Sequence, residues 1–224
     1  MQSYYAARAP EYDQVYQKPE RQADLQALRQ WLPPLFCGAR LLEIACGTGF
    51  WTQLIAPLAA ELVALDAAPE TLGIAMTRVP GEKVRFLVGD AYRLPTDQGQ
   101  FNAAFAGFWF SHVPRQRQRE FLAGLAAVLS PGARVVLLDN LFVEGSNLPI
   151  TERDAEGNTY QTRKLEDGSI HRVLKNFPAE AELRALIEGL GEHAGYTKFG
   201  YYWAFQYVAV RPLEVVEGQA GPHN

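Results

Sequence analysis

Apolar residues fall in short unbroken runs, separated by stretches whose apolar positions recur every three or four residues. The runs are Leu41 to Ile44, then 61–66, 84–90, 101–110 and 134–140. Near-continuous runs of that length predict strands covered on both faces, as in a parallel sheet. Helical spacing marks 20–31, with Leu25, Leu28 and Leu32, and the segments 69–79, 119–129 and 178–190. These predict amphipathic helices. Pro33-Pro34 stops the first, and Pro69 stands near the start of the second. Strand and helix in alternation predict a layered α/β domain. Two closing strands are expected within 196–211, through Tyr201-Tyr202-Trp203-Ala204-Phe205.

The alternation breaks at 141–177, which is polar and turn-rich yet carries Tyr160 to Leu165 and Ile170 to Leu174 around Glu166-Asp167-Gly168-Ser169. That pattern predicts a hairpin. A long insert after a core strand is more often functional than idle, so it is the candidate substrate cap. One domain is expected over 1–211, opening with an N-terminal segment and helix over 1–34 and followed by 212–224 as a disordered tail. Residues 1–19 hold Tyr4, Tyr5, Arg8, Tyr12 and Tyr16 without a clear period.

The first strand ends in Ala45-Cys46-Gly47-Thr48-Gly49, and a helix-like pattern follows over 50–58. Gly47 and Gly49 lack a Cβ, so the chain can bend sharply and a ligand can approach the main chain. A helix start beyond them would aim free N–H groups at that ligand. A dinucleotide loop would read Gly-x-Gly-x-x-Gly/Ala, but Thr52 stands in the third place. Glu43 lies on the approach; a carboxylate repels a pyrophosphate and attracts an ammonium or sulfonium. The loop therefore favours a ligand with a cationic end, the bland alternative being a plain strand-to-helix turn. Asp66 follows at about the interval at which nucleotide folds place a ribose-binding acid. Its other reading is a helix cap.

Glu43 to Gly49 resembles motif I, E/D-x-G-x-G-x-G, of the class I S-adenosylmethionine-dependent methyltransferases of small molecules, with Ala45 for the first Gly. Leu129-Ser130-Pro131-Gly132-Ala133 is similar to the family's L-x-P-G-G turn, with Ala for the second Gly. The resemblance covers about 35–211. It implies a three-layer Rossmann-like fold: a mostly parallel seven-stranded sheet with an antiparallel last strand and helices on both faces. It also implies S-adenosylmethionine as cofactor, S-adenosylhomocysteine as product, and in-line methyl transfer to O or N of a small-molecule acceptor. Glu43, Ala45, Gly47, Gly49 and Trp51 would then form the cradle. Asp66 and Ala67 would meet the ribose, Asp90 and Ala91 the adenine, and Gly107 and Phe108 the methionine end. Asp90 could equally be a turn aspartate. N-terminal Tyr/Arg/Tyr segments in the family fold over the cofactor as a lid, which implies that 1–34 supplies a lid and helix, with Tyr5, Arg8 and Tyr12 nearby; a packing arm is the other reading.

Trp109 and His112 would face the reacting centre, or the wall behind it. His112 is the candidate catalytic residue, either accepting the acceptor's proton or orienting the acceptor; alternatively it bonds a neighbouring loop. Tyr160, Arg163 and Tyr202 would complete the acceptor pocket, Arg163 pairing a carboxylate or phosphate. Asp139-Asn140 is similar to the metal site of catechol-type O-methyltransferases. Gly107-Phe108 stand where a further acid is needed, so no metal is expected.

Composition narrows the partners. A net charge of −4 makes no case for nucleic acid. The run Arg115-Gln116-Arg117-Gln118-Arg119 is expected as a solvated helix face. No apolar run approaches the ~20 residues of a membrane span, and the N-terminus lacks the order of a secretion signal. Cys37 and Cys46 have no zinc spacing, which with a thiol in the turn suggests a reducing, cytoplasmic setting. A monomer or homodimer is expected. Two other functions stay open: a non-catalytic S-adenosylmethionine-binding regulator, and an NAD-dependent oxidoreductase, which Thr52 and Glu43 oppose.

Overall fold

The structure is a computed structural model that describes Tyr4 and residues 7–210. Tyr5 and the 212–224 tail lie outside the described residues. The strands, in chain order, are β1 (Arg40–Ile44), β2 (Glu61–Asp66), β3 (Val84–Val88), β4 (Phe101–Gly107), β5 (Leu129–Asn140), β6 (Glu152–Arg153), β7 (Thr159–Lys164), β8 (Ile170–Leu174), β9 (Gly191–Lys198) and β10 (Tyr202–Ala209). The α-helices are α1 (Gln22–Trp31), α2 (Thr52–Ile55), α3 (Pro69–Arg78), α4 (Gln118–Ala127) and α5 (Glu180–Leu186).

Seven strands form one sheet in the order β3-β2-β1-β4-β5-β10-β9. β1 pairs in parallel with β2 and β4, as do β2 with β3 and β4 with β5, while β10 runs antiparallel to β5 and β9. Side-chain alternation divides the sheet into two cores. Leu42, Ile44, Ala104, Val135 and Leu137 pack on one face with Phe121 and Leu125 of α4 and Leu183 of α5. Leu41, Ala103, Phe105, Val136 and Leu138 pack on the other with Leu25 and Leu28 of α1, Ile55 of α2 and Leu72 of α3. This is the three-layer Rossmann-like arrangement. The order reverses at β1, between β2 and β4, and open α/β sheets bind ligands outside the carboxyl ends at such a point.

Three local expectations change. The helix expected over 50–58 contracts to four residues because Pro57 follows its exit. Ser130-Pro131-Gly132-Ala133, expected as a turn, is a bulge inside β5, where the register slips between Phe101↔Leu129 and Ala103↔Arg134. β9 begins at Gly191, ahead of the expected 196.

The 141–177 insert forms a three-stranded antiparallel sheet, β6-β7-β8. It is moored to the β4 exit: the Asn176 N–H donates to the Ser111 carbonyl at 2.8 Å, and the Arg115 N–H to Asn158 Oδ1 at 2.7 Å. Among the described residues, no helix is long and apolar enough to cross a membrane.

Candidate functional site

The loop after β1 carries three left-handed residues, Ala45, Gly47 and Gly49, with φ of 54°, 56° and 76°. Ala45 holds this backbone despite its Cβ, at the position where motif I has Gly. A Cβ on Gly49 would lie 3.0 Å from Ala75 Cβ and 3.2 Å from its Cα, so the missing side chain lets α3 close on the loop. Gly49→Ala is expected to cost at least about 1–2 kcal/mol from the backbone alone. That corresponds to a Tm loss of roughly 2–8 °C in a thermal melt; an unchanged Tm would show that α3 yields freely.

Because α2 is so short, it offers no extended helix N-terminus to a ligand. The Gly47 N–H donates to Asp66 Oδ2 at 2.8 Å. Asp66 Oδ1 accepts from the Ala68 N–H at 2.9 Å and the Thr71 hydroxyl at 3.0 Å. Asp66 thus ties the loop to the start of α3 while bordering the cavity beside it. Burial pushes its carboxyl up, against the pull of these bonds.

That cavity has a volume of about 490 Å³. Ala45, Gly47, Asp66 and Ala67 line one side; Asp90, Ala91, Gly107 and Phe108 line the other, with Tyr12 at its mouth. Glu43, Gly49 and Trp51 stand behind this wall rather than in it. Glu43 is 1% exposed, and its Oε2 reaches no hydrogen-bond partner. Burial pushes its carboxyl up to about 8. Trp109, expected at the acceptor, lines this larger cavity, edge-on to Tyr92 and Phe121. The reason is that the chain turns at Phe108, which carries a φ of 58° and donates its N–H to the Leu138 carbonyl at 2.7 Å. A bulky residue in the left-handed region is strained, and such strain concentrates at functional sites.

A second cavity of about 260 Å³ adjoins the first, and Tyr12 and Phe108 line both. His112, Arg163 and Tyr202 line it, and so does Arg8, which was expected at the cofactor. Above it lies the 3-10 helix Ala9–Tyr16. Its Asp13 accepts from the Thr48 hydroxyl at 2.6 Å and pairs with Arg78. Its Tyr16 stacks on Phe50 at 3.6 Å between ring centroids. Gln14 reaches Glu166 in the β7–β8 turn at 2.7 Å, so this segment bridges loop and cap. Burial pushes the Tyr12 hydroxyl up to about 12.

Tyr160 lines neither cavity. On a strand, residues three apart face opposite ways. β7 turns Gln161 and Arg163 toward the cavity and Tyr160 away, where its hydroxyl bonds Asp154 and its ring lies under Arg172. Arg115 and Arg117 depart in part from a solvated face, pairing with Glu182 and Glu120 while Arg117 covers Tyr92.

Of the basic residues lining the smaller cavity, Lys18, Arg21, Lys164 and Lys175 were not anticipated, and Lys175 and Arg21 are the two that are buried. Lys175, just past β8, is buried; its Nζ donates to Asp139 Oδ1 at 2.8 Å and Ser111 Oγ at 2.6 Å. Asp139 also accepts the Ser111 N–H at 2.9 Å, so this candidate metal ligand is committed to an ammonium and an amide. Arg21 is 5% exposed and donates to Ser146 Oγ at 2.9 Å and Asn140 Oδ1 at 2.8 Å. A signal existed for each. Arg21, Leu25, Leu28 and Leu32 follow the helical i, i+4, i+7, i+11 spacing, which puts an arginine on the buried stripe. Lys175 shares strand parity with the buried Val173.

His112 is 4% exposed, and its Nδ1–H donates to the Leu174 carbonyl at 2.5 Å, which makes Nε2 the unprotonated nitrogen. Burial, with the charges of Lys175 and Arg163, holds its pKa well below the usual histidine range.

Sheet order, loop and paired cavities match the fold of the class I S-adenosylmethionine-dependent methyltransferases. Residues 41–132 match the family model described as a methyltransferase domain. The demethylmenaquinone methyltransferase of Thermus thermophilus is 35% identical over 137 residues, 58% of this chain and 61% of that protein. The biotin biosynthesis bifunctional protein BioHC of Cellvibrio japonicus is 35% identical over 113 residues, 49% of this chain but 21% of that protein. The chain thus spans less than two thirds of these curated relatives. Among solved structures, the DhpI–SAM–HEP complex superposes with a TM-score of 0.76 at 28% identity, covering 92% of this chain and 94% of that one.

Proposed function

We propose that the protein binds S-adenosylmethionine in the larger cavity and transfers its methyl group to O or N of a small-molecule acceptor held in the smaller one. The observation that carries this reading is the junction of the two cavities at Tyr12 and Phe108, on the carboxyl edge of the sheet. The chemistry of the larger cavity suits the cofactor: Asp66 and Asp90 line it, and carboxylates accept hydrogen bonds from the hydroxyls and amino group of a nucleoside. Named complexes among the structural neighbours, such as the DhpI–SAH complex at 27% identity, support the same ligand.

The bound cofactor supplies an activated methyl group with its own leaving group. Asp66 would hold the ribose, Asp90 and Ala91 the adenine, and Gly107 and Phe108 the methionine end. The chain's task is then alignment and exclusion of water, which together supply roughly 7–11 kcal/mol of the barrier. Tyr12, on the bridging segment, closes the junction from above. His112, neutral at pH 7, orients the acceptor from Nε2. Residues 1–211 act as one domain, with 1–34 as its lid and 141–177 as its cap. The protein works in the cytoplasm as a monomer or homodimer, on neither nucleic acid nor membrane.

Calorimetry with S-adenosylmethionine, S-adenosylhomocysteine and NAD tests the reading. Heat with the first two and none with NAD is expected. No response to S-adenosylmethionine would end it. Binding without turnover across an acceptor panel would favour a non-catalytic regulator.

A further inference from the structure

We infer that the acceptor is an oxyacid anion, held by Arg21, Arg163 and Lys175 in the smaller cavity, and that the methyl group goes to its charged oxygen. This rests on the methyl-transfer reading above and adds the class of acceptor.

The charge of the walls carries the inference. Arg8, Lys18, Arg21, Arg163, Lys164 and Lys175 line this cavity, and Glu11 is the one carboxylate lining it among the described residues. The protein as a whole carries a net charge of −4, so the excess is local. Walls of one sign in a concave site concentrate ligands of the other.

Arg21 sharpens the point. The residue is 5% exposed. Its hydrogen bonds end on two neutral oxygens, Ser146 Oγ and Asn140 Oδ1, and the rings of Tyr201 and Tyr202 lie 5.4 and 5.6 Å from its centre. Among the described residues it forms no direct ion pair; Glu20 acts on it at longer range, across the Ser146 hydroxyl that both touch. A buried charge is costly unless something of opposite sign meets it. Lys175 does have Asp139, but Asp139 is fully buried behind it, and Lys175 still lines the cavity. Arg163 enters from β7, with one nitrogen on Gln161 Oε1 at 2.9 Å. A planar fork beside a point charge suits a carboxylate or a phosphoryl group.

The chemistry needs no base. A lone pair of the anionic oxygen forms the new O–CH3 bond as the S–CH3 bond breaks. The electron pair of the broken bond stays on sulfur, the acceptor loses one negative charge, and no proton moves. His112, whose ring is buried and resists protonation, takes no proton, and its Nε2 can only accept a hydrogen bond from a donor elsewhere on the acceptor.

The test is calorimetry of the full chain with sodium phosphate and with sodium acetate, at matched ionic strength, with ethanolamine as the cationic control. Saturable binding of at least one oxyanion is expected, weakened tenfold or more in Arg163→Gln. Phosphate alone would specify a phosphoryl acceptor, and acetate alone a carboxylate; either supports the inference. Ethanolamine binding in preference to both anions would overturn it. So would the absence of binding by both anions, or anion binding that Arg163→Gln and Lys175→Met each leave unchanged. S-adenosylmethionine titrated into the same proteins reads out the methyl-transfer reading separately. Loss of anion binding with cofactor binding intact marks the acceptor site, whereas loss of both marks a folding defect, which Arg163→Lys is expected to repair.

Discussion

Asp139→Ala is expected to destabilise the protein by about 3–5 kcal/mol, because it strands a buried ammonium. Asp139 and Lys175 have side chains 0% and 5% exposed, and Asp139 is the carboxylate that Lys175 meets at 2.8 Å. Burial pushes the Asp139 carboxyl up, but the Lys175 charge and the Ser111 N–H outweigh it, and the net direction is down. Burial lowers the Lys175 pKa, with Asp139 opposing. A depressed carboxylate contributes stability that is present above its ordinary 3.8 and lost as pH falls through the folded value. The predicted loss corresponds to roughly 6–20 °C in Tm. Asp139→Leu combined with Lys175→Met should recover much of it, since replacing both members of a buried pair is often near neutral. A thermal melt of the single variant falling by under about 3 °C would mean that water reaches Lys175.

Glu43→Gln is expected to stabilise the ligand-free protein in proportion to pH. The Glu43 carboxyl rises from 4.5 to about 8 on burial, so the folded state holds a proton that the unfolded state has released. Stability therefore falls as pH rises between those values, by at most about 1.4 kcal/mol per unit. The glutamine variant removes that slope, and denaturant unfolding at several pH values reads it directly. A cation bound at the loop would pull the same carboxyl down. S-adenosylmethionine binding near neutral pH should then release a proton, visible as a dependence of calorimetric heat on the buffer's ionisation enthalpy. Identical slopes for wild type and Glu43→Gln would remove Glu43 from both arguments.

Much of the frame could be read along the chain. Leu41 to Ile44 and its companions in β2, β4 and β5 are largely buried, and a run of that kind has few other homes than a parallel sheet; β3, at the edge of the sheet, departs from the expectation, with Val88 62% exposed. Gly47 and Gly49 mark the loop because a left-handed backbone leaves a local trace in residue type. The hairpin around Glu166 to Ser169 was legible for the same reason. Face and depth were harder. Parity on β7 already separates Tyr160 from Arg163, yet which side meets the cavity depends on how the insert docks. Trp109 pointed to the acceptor only until the turn at Phe108 sent it toward the larger cavity.

What no local pattern could supply is the company each charge keeps. Arg21 meets Ser146 across 125 residues, and Lys175 meets Asp139 across 36. Periodicity reports whether a side chain goes inward, because burial repeats with the helix or strand. It does not report which distant partner waits there, because that pairing arises only when separate elements pack. The cradle and the sheet were thus written in the chain's own order. The basic cavity exists only where the N-terminal segment, the β4 exit and the 141–177 insert come together.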